Sequence, residues 1–238
     1  MSTFIFMLTK NDQTVASALE VYEEVRSSAL GWVGFKDVGA SIATLRELAR
    51  RIHDDGRSVA LEVVSTDLAA EVASVRTGVE IGVDILMGGT NVVAATRILD
   101  GSGIKYFPFP GRIVGHPSVL EGTIEEIAES ARGLSATPGV TGLDLLAYRN
   151  KSVDVPSLID AVIKASAGPI VVAGSIDSAE QVELVTSLGA WAFTIGGAVF
   201  DRALVPGGSI REQIDVALAW SRKEMRLSGR RTSPGCVS

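Results

Sequence analysis

The sequence predicts an α/β fold, a single-domain (β/α)8 barrel of the TIM type, and three observations predict it. Short apolar or β-branched runs alternate with longer amphipathic segments along the chain. The alternation gives eight strand–helix units of roughly 30 residues each, close to the ~250 residues that such a barrel takes. The strand segments are continuously apolar, as in a parallel sheet covered on both faces. An open doubly wound sheet is the rival, but it usually has fewer strands and a glycine-rich first turn, and the first turn here is Lys10-Asn11-Asp12.

The elements follow in order. Strands are expected at 3–8 (TFIFML), 31–36 (GWVGFK), 58–64 (SVALEVV), 84–87 (DILM), 104–108 (IKYFP), 140–146 (VTGLDLL), 169–173 (PIVVA) and 191–195 (WAFTI). Between the second and third, Ile42, Leu45, Leu48, Ala49 and Ile52 recur at helical spacing with arginines on the other side. Thr123 followed by Glu126 is a capping box opening IEEIAESARGL. Asp177 or Ser178 caps AEQVELVTSLG, and Gly189 ends that helix. AVFDRAL supplies a short extra helix before the last one, expected over about 209–226. The barrel domain is read as 1–226 and the polar tail 227–238 as disordered. EIGVDILMGGTNVV (80–93) echoes SLGAWAFTIGGAVF (187–200), each running helix end, strand, Gly-Gly, helix start. Half-barrel duplication is one account of that echo, and the glycines common to all such units are the other.

Composition narrows the function classes. The chain is 46% hydrophobic and 21% charged, ample for a core. A net charge of −6 argues against general nucleic-acid binding. No apolar run approaches the ~20 residues of a membrane helix. The opening MSTFIFMLTKND lacks a basic segment before its apolar part and reads as a strand, not a signal peptide. The single cysteine, Cys236, allows no disulfide frame and no thiolate cluster, so a cytoplasmic location is expected. A homo-oligomer is left open.

Two strand ends carry the strongest signal. Gly174 and Ser175 close the seventh strand, and Gly196 and Gly197 close the eighth. Glycine lets backbone N–H groups approach a ligand closely, and amides after these two strands commonly hold phosphate in such barrels. Glycines that merely permit tight turns are the plainer reading of either pair alone.

The segment VVAGSIDSAEQVELVTSLGAWAFTIGGAVF resembles the ribulose-phosphate-binding barrels, the group with the phosphoribosyl isomerases of histidine and tryptophan synthesis, ribulose-phosphate epimerase and sugar-phosphate lyases. It is also similar to triosephosphate isomerase, whose GGSV and VGGASL stretches resemble AGSI and IGGAVF here. The resemblance is specific over the last quarter of the chain and generic elsewhere. It implies a barrel and a phosphate site at the C-terminal face, but no particular substrate. The catalytic glutamate of triosephosphate isomerase lies in an AYEP-like stretch after strand six. This chain reads LAYRN there, with Arg149 in the place of that acid, so that activity is not expected. The histidine-pathway isomerase uses an aspartate on its first strand, where this chain offers lysine.

The remaining polar residues at strand ends are the candidates for chemistry. Lys10, Lys36, Glu62, Asp144 and His116 are the catalytic candidates, and Arg112 and Arg149 the substrate-binding ones. Asp37, Ser65, Thr90 and Tyr148 also stand at strand ends or in the loops that follow them. A solvated loop lysine is the plain reading of Lys10, and a surface ion pair that of Lys36-Asp37. Glu62, among Leu61, Val63 and Val64, is costly to bury without a partner, and Lys10 or Lys36 is the expected one. Asp144 is expected to meet Arg112 or Arg149. His116 is a candidate for binding or proton transfer because of its residue type. It lies in YFPFPGRIVGHPSVLEG, whose three prolines and three glycines read as a lid or binding loop longer than the usual ~4–6 residues, with structural packing under the barrel rim as the alternative.

These residues fit proton-transfer isomerisation or epimerisation of a small phosphorylated, sugar-like substrate. Glu62 or Asp144 would be the base, and Lys10 or Lys36 would stabilise the enediolate oxygen. A Schiff-base or retro-aldol lyase using Lys10 or Lys36 is the alternative enzyme. A non-catalytic phosphosugar-sensing barrel is the alternative without chemistry. No cofactor is read from the sequence. A divalent metal at Glu62, Asp144 and His116 stays open, although no tight ligand spacing announces one.

Overall fold

Each of the eight apolar runs becomes a strand in a computed structural model, which describes residues 2–222. The strands are β1 (Thr3–Met7), β2 (Trp32–Lys36), β3 (Ser58–Val63), β4 (Ile85–Gly88), β5 (Lys105–Phe107), β6 (Leu143–Leu145), β7 (Ile170–Val172) and β8 (Ala192–Ile195). They form one parallel sheet in the order β6-β7-β8-β1-β2-β3-β4-β5. The seam between β5 and β6 is bridged by Thr141 N–H to Tyr106 C=O at 2.8 Å and Asp144 N–H to Pro108 C=O at 3.0 Å. The sheet therefore curls into a nearly closed barrel, as expected. The tail 227–238, with Cys236, and the end of the last expected helix lie outside the described residues.

Helices α1 (Ala18–Val25), α2 (Ile42–Asp54), α3 (Leu68–Ile81), α4 (Val92–Leu99), α5 (Ile124–Ser135), α6 (Val155–Ala165) and α7 (Ala179–Ser187) link successive strands. A single-turn helix α8 (Gly197–Phe200) and then α9 (Ile210–Arg222) follow β8. Local chemistry fixes their starts. Ser41 Oγ accepts from Thr44 N–H at 3.1 Å, and Thr123 and Glu126 form the expected reciprocal box. Ser178, rather than Asp177, caps α7, while Asp177 N–H donates to Gln181. No helix among the described residues is long and apolar enough to cross a membrane.

Strand alternation divides the core in two. Outward-facing residues such as Phe4, Phe6, Leu61, Leu86, Leu143 and Leu145 pack beneath the helices. Inward-facing Ile5, Met7, Ala60, Ile85, Met87, Phe107, Val171 and Ala192 fill the barrel. Trp32 and Trp191, at the N-terminal ends of β2 and β8, meet edge to face with ring centres 5.9 Å apart, and Phe107 stacks on Trp191 at 5.5 Å. Aromatic rings thus plug the lower end. At the upper end the inward positions turn polar, with Lys36, Glu62, Asp144 and Thr194.

Two segments that read as loops are ordered ribbons. The first is the hairpin Thr9–Lys10 with Gln13–Thr14, turned by Asn11 and Asp12 at φ 50° and 63°. Two successive left-handed residues make the turn that suits a two-residue hairpin, and Asn and Asp tolerate that conformation better than most. The second is the hairpin Arg112–Val114 with Val119–Glu121, inside the long segment after β5.

Candidate active site

A cavity of about 450 Å³ opens at the C-terminal face. Lys36 and Glu62 line it from the barrel interior, the Asn11–Asp12 turn and Pro117–Val119 wall one side, and the segments after β6, β7 and β8 wall the other.

Lys36 and Glu62 are register partners on adjacent strands, so both side chains point inward at the same level. Both are 3% exposed, and Lys36 Nζ lies 3.0 Å from Glu62 Oε1. The same ammonium donates to Asp12 Oδ1 at 2.6 Å. Asp12 is fully buried and also accepts from Arg149 Nη1 at 2.7 Å and from Ser118 N–H and Oγ, each at 2.9 Å. Burial opposes the charged form of Asp12. The Lys36 and Arg149 charges and the donors from Lys36 and Ser118 outweigh it, and they hold this carboxyl well below the usual carboxylate range. The result is an alternating row, Glu62–Lys36–Asp12–Arg149, across the upper end of the barrel.

Asp144 behaves differently from expectation. It is fully buried, and neither of its carboxyl oxygens has a hydrogen-bond partner among the described residues. Arg112 pairs instead with Glu121 at 2.6 Å beside a separate surface hollow, and Arg149 is taken by Asp12. Burial, followed by the Glu62 charge, pushes Asp144 well above the ordinary carboxylate range, against the pull of Lys36 and Arg149. It sits below the cavity rather than on its wall.

Across the cavity stand the glycines. Gly174, Ser175, Gly196 and Gly197 all line it. Their backbone N–H groups make no hydrogen bond to another described residue. Gly174 and Ser175 are both left-handed, at φ 82° and 61°, a pairing glycine eases. A Cβ at Gly174 would sit 2.8 Å from Arg149 Cγ, and one at Gly196 2.6 Å from Thr9 Oγ1, whereas one at Gly197 would meet nothing within 4 Å. The echoing Gly-Gly pair after β4 is filled otherwise. Glu71, 1% exposed on α3, accepts there from Thr90 N–H at 3.0 Å, Asn91 N–H at 2.8 Å and Asn91 Nδ2 at 2.7 Å. Just after the β4 pair the protein supplies its own anion; after β7 and β8 the glycines line the cavity with their N–H groups unpartnered among the described residues.

The other sequence candidates scatter. Lys10 lines the cavity rim but pairs with Asp201 at 2.6 Å rather than with Glu62. Asp37 points away from Lys36 and accepts from Val64 N–H, Ser65 Oγ and Ser74 Oγ, which makes it a brace between β2 and α3. His116 is half exposed at the ribbon tip, 3.8 Å from Asp12 Oδ2 and off the cavity wall. Glu62, Asp144 and His116 do not gather, and no cluster of three metal-ligating side chains occurs among the described residues. Tyr148 lines the cavity with its hydroxyl unpartnered, and burial, with Asp177 adding to it, pushes that hydroxyl up to about 12.

Sequence reasoning missed Asp12 and Ser118 as site residues. Asp12 stood in plain view in the first turn, and the Asn-Asp pair between two threonines was the available signal for a left-handed hairpin turn aiming a carboxylate inward. Nothing local marks Ser118.

No protein-family model matches the chain, and no curated protein is similar to it in sequence. Solved structures are similar in fold. One is orotidine 5′-phosphate decarboxylase from Pyrococcus horikoshii, with a TM-score of 0.64 and 14% identity over 92% of this chain and 99% of that one. The two share a (β/α)8 barrel fold. Another similar structure is a cube-shaped, highly porous protein cage designed by fusing symmetric oligomeric domains, with a TM-score of 0.66 and 13% identity over 97% of this chain and 76% of that one. A third is the Amycolatopsis orientalis BexX/CysO complex, with a TM-score of 0.61 and 16% identity over 100% and 95% of the two chains.

Proposed function

We propose that this barrel is an enzyme that binds a small phosphorylated, sugar-like substrate and moves a proton beside its carbonyl, as an isomerase or epimerase. One observation carries the reading. A buried ammonium–carboxylate pair, Lys36 and Glu62, shares one cavity with the unpartnered amides of Gly174, Ser175, Gly196 and Gly197. Backbone amides of this kind suit a phosphate dianion. Glu71 is a nearby precedent, a carboxylate held by the backbone amides of Thr90 and Asn91 just after the echoing Gly-Gly turn.

With phosphate held on the β7–β8 side, the carbon chain reaches toward β2 and β3. Glu62 takes a proton from the carbon next to the carbonyl, and the C–H electron pair becomes the C=C bond of an enediolate. Charge gathers on the former carbonyl oxygen. Lys36 Nζ donates to Asp12 and contacts Glu62, and a third N–H remains for that oxygen. Glu62 returns the proton to the neighbouring carbon in isomerisation, with transfer of the hydroxyl proton between the two oxygens; in epimerisation Glu62 keeps the proton it took and a second donor on the opposite face of the enediolate supplies the new one. The Schiff-base alternative is disfavoured because an amine nucleophile needs its lone pair free, and Lys36 Nζ is engaged by two carboxylates.

The test is a thermal-shift and turnover screen of phosphosugars against the wild type, Gly197→Ala and Gly197→Asp. Position 197 has room for a side chain, so both variants should fold. The alanine should keep the hits and the aspartate, placing a like charge where the dianion sits, should lose them. A hit that stabilises Gly197→Asp as well as the wild type means that the anion binds elsewhere.

A further inference from the structure

The ribbon Arg112–Glu121 is held at its two ends by different means. Leu120 is buried in the outer core, whereas the tip residues 115–117 are exposed. What fastens the tip is Ser118. Its N–H and Oγ both donate to Asp12 Oδ2 at 2.9 Å, and its carbonyl accepts from Arg149 Nη1 at 3.1 Å. Asp12 Oδ1 meanwhile receives Lys36 at 2.6 Å and Arg149 at 2.7 Å. One buried carboxylate therefore faces the ribbon with one oxygen and the lysine with the other. We propose that Ser118 and Asp12 form a latch by which the ribbon, when docked against the mouth, positions Lys36, so that closing the cavity and aiming the ammonium are a single event.

The geometry makes the two inseparable. Pro117, Ser118 and Val119 form part of the cavity wall, so lifting the tip widens the mouth. The same movement removes both donors from Asp12 Oδ2 and strips Arg149 of its second acceptor. Asp12 then stands in a two-residue left-handed turn with half of its contacts gone, and Lys36 loses a fixed partner. Ser118 touches no reacting atom; it is a positioning residue that acts through Asp12. The latch stands on the contacts alone, while its service to catalysis rests on the proton transfer proposed for Lys36 and Glu62.

Hydrogen exchange followed by mass spectrometry on the full chain tests the latch without substrate. Ser118→Ala removes one hydrogen bond, so exchange over 113–119 should rise about fivefold, with the amides of β1–β3 unchanged. Ser118→Thr, which keeps the hydroxyl, should restore the wild-type rate. In the same samples, acylation of Lys36 by a small amine-reactive reagent should be faster in Ser118→Ala than in the wild type. Unchanged ribbon exchange, or an equal rise throughout the barrel, overturns the latch. Faster ribbon exchange with unaltered Lys36 labelling overturns the positioning role. With a phosphosugar found by the screen above, kcat should fall in Ser118→Ala while KM stays within about twofold. Failure of that arm alone, with the exchange and labelling results intact, counts against the proposed chemistry rather than the latch.

Discussion

Lys36 Nζ and Glu62 Oε1 sit 3.0 Å apart on paired positions of neighbouring strands, 3% exposed on both sides. A base held beside a cation can take a proton from carbon while the cation receives the charge that appears on oxygen. Glu62→Gln should therefore lower turnover of a phosphosugar substrate by roughly 10²–10⁴-fold. Binding, read by thermal shift, should change little, because the amides proposed to hold phosphate belong to the segments after β7 and β8 rather than to β3. Lost binding with retained turnover per bound substrate would reverse these roles.

Asp144 makes the opposite demand on the fold. Its carboxyl is raised well above the ordinary range by burial and by Glu62. Above the ordinary carboxylate pKa the unfolded chain releases this proton and the folded one keeps it, so stability falls as pH rises through that window. Asp144→Asn has no proton to release. Denaturant melts should show it level with the wild type near pH 4 and ahead by about 1–3 kcal/mol near pH 8. Parallel curves for the two proteins across that range would mean that Asp144 is ionised in the fold.

Asp12 has the reverse sign. Its carboxyl is depressed in the folded state by Lys36 and Arg149, so its contribution is complete above the ordinary carboxylate pKa and is lost as pH falls below it. Asp12→Asn should be less stable than the wild type by about 3–5 kcal/mol at pH 7, since it leaves buried cations short of a partner. The gap should close as the medium is acidified below about pH 4. A gap that stays constant with pH would assign the loss to packing.

Gly174 allows a close approach that no other residue type would. An alanine there would be left-handed at φ 82° and would press on Arg149 Cγ at 2.8 Å. Gly174→Ala should cost about 1–2 kcal/mol from the backbone alone. It should also push Arg149 off Asp12 and raise amide exchange at the ribbon tip. A crystal structure of the variant with the Arg149–Asp12 contact intact would sever that connection.

The barrel was legible because its signals are local. Each strand is a short apolar run, each of several helices opens on a side-chain cap such as Thr123, and both glycine pairs sit where strand gives way to helix. The site was legible only in part. Lys36 and Glu62 stood out as charges inside apolar strands, and their register follows from adjacency in the barrel. The partners were not legible, because they join positions far apart in the chain. Asp12 reaches Ser118 across 106 residues and Arg149 across 137. Asp144 was assigned a cation by the rule that buried charge is paired. That rule assumes an ionised group, and burial, with the Glu62 charge beside it, pushes this carboxyl well above the ordinary carboxylate range. His116 drew notice as a rare titratable side chain, while the serine two positions along does the docking.

The indole rings of Trp32 and Trp191 give the barrel a sealed base. Under the proposed chemistry, whatever is made at Lys36 must depart by the doorway through which its precursor came, past the same ribbon. Arrival and exit are then mutually exclusive, and a fresh molecule waits for the spent one to clear. Under saturating conditions the frequency with which that doorway opens sets a ceiling on throughput, however fast the proton moves.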